Sequence, residues 1–192
     1  MSLLGWLEPA MHRLYGARKR ALFSTLQGRV LEIGAGTGIN RLYLPPGVDW
    51  LPLEPEVAHH ASILRRQPDV AILTASAEAI PLAEASVDAV ISSLVLCSVG
   101  RPERVLQEIL RVLKPGGCLV FLEHVAAPRG TLLAWMQTLV QPIWTWLSGG
   151  CHPDRDTGRM LRQAGFARVE WEELRLPVPI ASPHLIGRAF KA

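Results

Sequence analysis

The residues with most capacity for chemistry in this 192-residue chain are Gly34, Gly36 and Gly38 at every second position, Glu32 and Glu54 beside them, Cys97, Cys118 and Cys151, and the histidines His124 and His152. An apolar run over residues 30–33 leads straight into the three glycines. A buried strand that stops in a loop almost without side chains lets a ligand lie against bare backbone. A dinucleotide fingerprint needs its third glycine one residue later, where Ile39 stands, so a nicotinamide or flavin dinucleotide is the weaker reading. Glu54 follows Gly34 by 20 residues, the interval at which the acidic end of a second strand meets a ribose in such folds. A carboxylate there accepts from two neighbouring hydroxyls and its charge disfavours a phosphorylated ribose. A solvated acid at a strand end is the alternative, and the distance from the glycine loop favours the ribose.

The elements that must hold these groups follow from pattern. Residues 48–53 read as a second strand and end at Glu54-Pro55. Residues 57–67 read as a helix, on which His59 and His60, being adjacent, point apart and make poor joint ligands. A short third strand over 70–73 precedes Thr74-Ala75-Ser76-Ala77-Glu78-Ala79-Ile80-Pro81. The nearly continuous apolar run 89–96 is that of a central parallel strand buried on both faces. Ligands gather at the carboxyl ends of such strands, which places Leu94 and Cys97 at the site. Residues 102–113 form a helix with an apolar stripe, 118–125 a fifth strand ending near His124, 154–164 a helix stopped by Gly165, 167–174 a sixth strand and 186–191 a seventh. Cys118, inside a strand, points to the core, where a thiol acts as a small hydrophobe.

Glu32-Ile33-Gly34-Ala35-Gly36-Thr37-Gly38 resembles the first motif of class I S-adenosylmethionine-dependent methyltransferases, whose loop wraps the methionine end of the cofactor. Residues 74–81 resemble the segment that meets the adenine, with Ser76 where the family often has Asp; Glu78 serves equally well as a helix-capping acid. Ala85-Ser86-Val87-Asp88 and Arg111-Val112-Leu113-Lys114-Pro115-Gly116-Gly117 resemble the segments flanking the fourth and fifth strands. Lys19-Arg20-Ala21-Leu22-Phe23-Ser24, Leu94-Val95-Leu96-Cys97-Ser98-Val99 and Glu123-His124-Val125 narrow the resemblance to the methyltransferase-like seven family, the alkyl thiol S-methyltransferases, over residues 18–191. The resemblance implies an α/β fold, a Rossmann-like, doubly wound, seven-stranded, mostly parallel sheet whose antiparallel last strand inserts between the fifth and sixth. It implies S-adenosyl-L-methionine as cofactor, bound by Glu32, Gly34, Ala35, Gly36, Gly38, Glu54, Pro55, Ser76, Ala77, Glu78 and Leu94. Animal members carry a hydrophobic N-terminal anchor that this sequence lacks.

Length and composition set the bounds. A chain of 192 residues is one domain by the usual prior, residues 1–192, with an N-terminal helical cap over 1–27 and an apolar insertion over 131–150. The net charge of +3 comes without long basic runs or aromatics interleaved with Arg, which argues against a nucleic-acid partner. Cysteines that form neither a C-x-x-C pair nor an even framework point to a reducing, cytoplasmic setting. Leu3, Leu4, Leu7, Met11 and Leu14 mark an amphipathic N-terminal helix that packs on the sheet, covers the cofactor through Tyr15, or touches a membrane surface through Trp6 and the basic residues 18–20. Residues 131–147, with Trp135, Trp144 and Trp146, read as a broken apolar helix pair that roofs the acceptor site with aromatic walls. Ordinary core packing and peripheral lipid contact are the other readings; the stretch is short for a membrane span.

Methyl transfer from a sulfonium is an in-line displacement in which the protein aligns two reactants and excludes water, and alignment can be worth ~7 to 11 kcal/mol. No metal is required. A small hydrophobic acceptor, an alkyl thiol, reacts as its thiolate and needs modest help, for which His124 is the first base candidate and His152 the second. Cys97 shapes the pocket, or pairs with Cys151 to bind a soft element as an arsenite methyltransferase would, a reading that Cys118 inside its strand does not support. A quinone-ring C-methyltransferase is the other enzymatic reading, and a cofactor-binding scaffold without catalysis the third.

Overall fold

Nearly continuous burial along four parallel strands, covered on both faces, builds the frame of the molecule. The computed structural model describes residues 3–178 and 180–192, with side chains from residue 12 onward. The strands are β1 (Arg29–Ile33), β2 (Asp49–Leu53), β3 (Val87–Ser93), β4 (Leu113–His124), β5 (Arg168–Arg175) and β6 (Pro183–Phe190), in the order β2-β1-β3-β4-β6-β5. β2, β1, β3 and β4 run parallel; β6 is antiparallel to both β4 and β5, lying between them as the resemblance implied. Successive residues feed opposite faces. Leu31, Val90 and Leu119 join one core with Val105 and Ile109 of α3 (Pro102–Val112), whereas Val30, Ile91 and Val120 join another with Phe23 of α1 (Leu3–Phe23) and Ile63 of α2 (Val57–Arg66). Each fully buried Leu or Ile of this kind stabilises by roughly 1.5–3 kcal/mol relative to an exposed one.

The described residues form six strands, not seven. Residues 70–73 contribute a single bridge, Leu73 to Leu53, held by Leu73 N–H to Pro52 O (2.9 Å) and Glu54 N–H to Leu73 O (3.0 Å). Pro52 presents its missing N–H to this outer edge, so the ladder cannot extend back. Glu54 O, the next acceptor forward, is met by His60 Nε2 at 2.9 Å.

Residues 39–43 form a 3-10 turn, and α4 (Leu132–Leu147) and α5 (Thr157–Gln163) complete the elements. α4 corrects the expected broken pair: it is one helix that runs through Pro142, capped by Thr131 Oγ1 accepting from Ala134 N–H at 3.2 Å. No helix among the described residues is long and apolar enough to cross a membrane. The expected apolar face at Leu3, Leu4, Trp6, Leu7 and Met11 lies outside the described side chains.

Candidate active site

The carboxyl ends of β1 to β4 bring nearly every chemically capable residue to one edge of the sheet, where ligands sit in folds of this kind. After β1 the chain turns through Gly34 (φ +56), Gly36 (φ +56) and Gly38 (φ +76), all left-handed. The three are glycine for different reasons. A Cβ on Gly34 would come within 2.7 Å of Val95 Cγ2, and one on Gly38 within 3.2 Å of Trp50 and 3.3 Å of the Ile63 Cα, so both are required by the protein's own packing. A Cβ on Gly36 would meet nothing within 4 Å. That glycine faces open space.

Glu54, 4% exposed, ties this loop to the end of β2. Its Oε2 accepts from Gly36 N–H at 2.6 Å and its Oε1 from Glu56 N–H at 2.9 Å. A carboxylate has about four lone-pair sites, so capacity remains for a pair of hydroxyls. His59 and His60, read from sequence as unremarkable, both touch Glu54: His59 Nδ1 lies 3.4 Å from Oε1, and His60 Nε2 meets the carbonyl. Pro55, next in line, is exposed.

Glu32 sits beneath the loop. Its two oxygens accept from Asn40 Nδ2 (2.6 Å) and Trp50 Nε1 (2.7 Å), and Lys19 Nζ donates to Asn40 Oδ1 (2.8 Å). Burial raises the Glu32 carboxyl to about 7 against these donors and lowers the Lys19 ammonium to about 8. Asn40, Trp50 and Lys19 had no local signal as partners of Glu32, because they come from a turn, a neighbouring strand and α1.

Ser76 is exposed, and its Oγ accepts from Glu78 N–H at 3.1 Å, while Ala77 is buried. Glu78 accepts from Arg101 N–H and Arg101 Nε, both at 2.9 Å, and these bonds hold its carboxyl below the usual range. Arg101 precedes α3, so Glu78 caps a helix start, as its alternative reading had it. Leu94 holds φ +61, rare for a side-chain-bearing residue, and redirects the chain after β3.

Cys97, His124 and Cys151 converge there. Cys151 Sγ lies 3.4 Å from His124 Nδ1, and His152 N–H donates to Cys97 O at 2.8 Å, pinning the loop after α4 onto the loop after β3. With the Cys97 thiol as donor and the imidazole alongside, the Cys151 thiol falls to about 4, while that same interaction, with burial added, pushes Cys97 well up. These contacts favour negative charge on Cys151 over Cys97. His124 is 2% exposed and its Nε2 has no partner. Tyr15, 3% exposed, meets His184 Nε2 at 2.8 Å through its hydroxyl, which burial keeps neutral. Burial also lowers His184 to about 4. His184 was missed from sequence because the last strand was read from residue 186, whereas β6 begins at Pro183. His152 Nδ1 is engaged by Gln141 Nε2 at 3.1 Å.

α4 presents a mixed polar and apolar side inward. Gln137 is fully buried, accepting from Ala127 N–H at 2.7 Å and donating to Ile180 O at 2.9 Å. Leu132, Trp135, Leu139, Ile143 and Trp146 face solvent, Trp146 at 81% exposure. Two of the three tryptophans expected as pocket walls therefore point away, and Trp144 alone is turned inward, toward Cys151. Periodicity could not show this, since apolar residues run round the helix and the inward stripe mixes Gln137 and Gln141 with Leu133, Val140 and Trp144.

A family profile described as "Methyltransferase domain" matches residues 31–121. The chain is similar to thiol S-methyltransferase TMT1B of Homo sapiens, 35% identical over 98% of this chain and 84% of the relative. It is also similar to a demethylmenaquinone methyltransferase of Paenarthrobacter aurescens, 38% identical over 76% of this chain and 65% of that one. Among solved structures, an S-adenosylmethionine-dependent methyltransferase of Thermotoga maritima, described as a possible histamine N-methyltransferase, superposes with a TM-score of 0.71 at 23% identity, covering 99% of this chain and 96% of the other.

Proposed function

Starting from the fact that the chain belongs to the S-adenosylmethionine-dependent thiol S-methyltransferase family, we propose that it methylates small apolar thiols at the carboxyl edge of its sheet. The methyl donor is S-adenosylmethionine. The observation that carries the reading is the open space at Gly36 beside the spare lone pairs of Glu54, where bare backbone and a buried acid adjoin. Gly34, Ala35, Gly36 and Gly38 would line the amino-acid tail and Glu54 with Pro55 the ribose. Ala77 and Leu94 would wall the base and the methyl end, with Ser76 and Glu78 at the adenine rim and Tyr15 closing from α1. Glu32 supports that loop from below. Bound there, the donor supplies an already activated methyl group on a sulfonium.

The chain's own task is then to present a thiolate. Cys97, His124 and Cys151 stand together past the carboxyl ends of β3 and β4, and His124 lowers the cost of negative charge on the Cys151 sulfur. The thiol acceptor is favoured over a quinol by the relatives: the thiol enzymes match over nearly the whole chain, the quinone enzyme over less of both. The test is incubation of purified protein with labelled donor and a panel of alkyl thiols, quinols and arsenite. Label is expected in the thioether; label in the quinol or arsenic product, or in none, overturns the acceptor.

A further inference from the structure

Two thiols and an imidazole packed together are a donor set for a soft or borderline divalent ion and a poor one for magnesium or calcium. Among the described residues, Cys97, His124 and Cys151 are the group whose ligand atoms all lie within 4.8 Å of one another. The three come from separate places: Cys97 from the turn after β3, His124 from the last position of β4, Cys151 from the loop after α4. A sulfur at about 2.3 Å and a nitrogen at about 2.0 Å from one zinc ion, at the tetrahedral angle, stand roughly 3.5 Å apart. Cys151 Sγ and His124 Nδ1 are 3.4 Å apart. Cys97 and His124 are each 2% exposed, so these donors are held in place by the core rather than by solvent-exposed loops. The three thiols of the chain are all free.

Among the described residues no fourth Cys, His, Asp or Glu joins this group. The His184 ring lies 6.0 Å from that of His124 between centroids. Both its nitrogens are engaged, Nε2 with the Tyr15 hydroxyl at 2.8 Å and Nδ1 with Ser182 O at 3.2 Å. Three protein ligands with one position left for an exchangeable group is the pattern of zinc sites that do chemistry, whereas structural sites are closed by four.

We propose that Cys97, His124 and Cys151 bind one zinc ion whose fourth position receives the sulfur of the acceptor thiol, an inference that rests on the thiol-acceptor reading. A coordinated thiol is deprotonated outright, its proton passing to water. The thiolate lone pair then forms the new bond to the methyl carbon as the bond from that carbon to the sulfonium sulfur breaks, and the bonding pair stays on the departing sulfur as a neutral thioether. Thiol and sulfonium become methyl thioether, demethylated donor and one proton, with no oxidant or reductant involved. The methylated sulfur has lost its charge and is a weak ligand for zinc, so product leaves.

The test uses the full chain, purified under reducing conditions, with metal content measured and cobalt(II) alone as the spectroscopic probe. One zinc per chain is expected, and cobalt(II) should give thiolate-to-metal charge-transfer absorption with the intensity of a tetrahedral site. Cys97→Ser and Cys151→Ser should each weaken cobalt binding by at least about a hundredfold, since loss of even an outer-shell partner costs 10–100-fold. Cys118→Ser should bind as wild type. Donor affinity by calorimetry on the same samples reports that each variant is folded. Cobalt binding that is equal in wild type and in the doubly substituted Cys97→Ser/Cys151→Ser protein overturns the site. So does full thiol methylation after a chelator has stripped the metal, which leaves the thiol acceptor standing. Metal bound as expected with no thiol methylated supports the ion and overturns the acceptor instead.

Discussion

Gly34 and Gly36 have the same φ and opposite consequences. Gly36→Val should fold, with about 1–2 kcal/mol of left-handed strain, and lose donor binding because its side chain enters the open space. Gly34→Val should instead lower thermal stability through the contact with Val95. Unchanged calorimetric affinity in Gly36→Val would place the donor elsewhere. Glu54→Ala removes both the proposed ribose acceptor and the bond to Gly36 N–H, so donor binding should weaken by roughly 1–3 kcal/mol, the scale of a hydrogen bond to a charged group. An affinity equal to wild type dismisses the assignment. For His124→Ala, the loss should depend on pH. An acceptor thiol as acidic as that of cysteine, with a pKa of about 8.5, is mostly ionised above that value without help, so with such an acceptor kcat/KM should fall chiefly below about pH 8. A loss of the same size across the pH range would remove His124 from thiolate formation.

α4 is the element whose faces are reversed. Its buried side is fixed by Gln137, which satisfies Ala127 N–H and Ile180 O, and its apolar side stands in solvent. Trp135→Ser, Leu139→Ser and Trp146→Ser should therefore leave kcat/KM for a water-soluble thiol unchanged and move stability by no more than about 0.5 kcal/mol each, as exposed substitutions do. A marked rise in KM would show that the helix turns its outer face onto the acceptor. The helix with Val105, Ile109 and Val112 inward was legible from periodicity, because there the apolar stripe and the buried stripe coincide. In α4 they do not, and the expected aromatic walls failed for that reason.

At the scale of the molecule, the buried Glu32 couples the loop to folding. Its folded pKa of about 7 lies above the unfolded value of about 4.5, so the folded state holds a proton that the unfolded state releases between those values. The stability this contributes is fully present below about pH 4.5 and is lost as pH rises through about 7. The melting temperature of wild type relative to Glu32→Gln should accordingly decline across that window. A gap independent of pH would mean that Asn40, Trp50 and Lys19 keep the carboxylate ionised throughout.

The sequence by itself determined the frame: strand runs, glycine spacing and the acid 20 residues on are local properties, written in consecutive side chains and their period. It also named Cys97 and His124, because the carboxyl ends of parallel strands are predictable from where strands stop. The strand count went wrong at residues 70–73, where one missing N–H, at Pro52 on another strand, ends the ladder. Cys151 was readable from sequence as an alternative partner of Cys97; that it stands against His124, with the His184 ring beside them, was decided only by the tertiary structure, since the loop after α4 and the antiparallel β6 arrive from distant parts of the chain. Contact across such separations is set by how the sheet is ordered and covered, and no spacing along the chain encodes it.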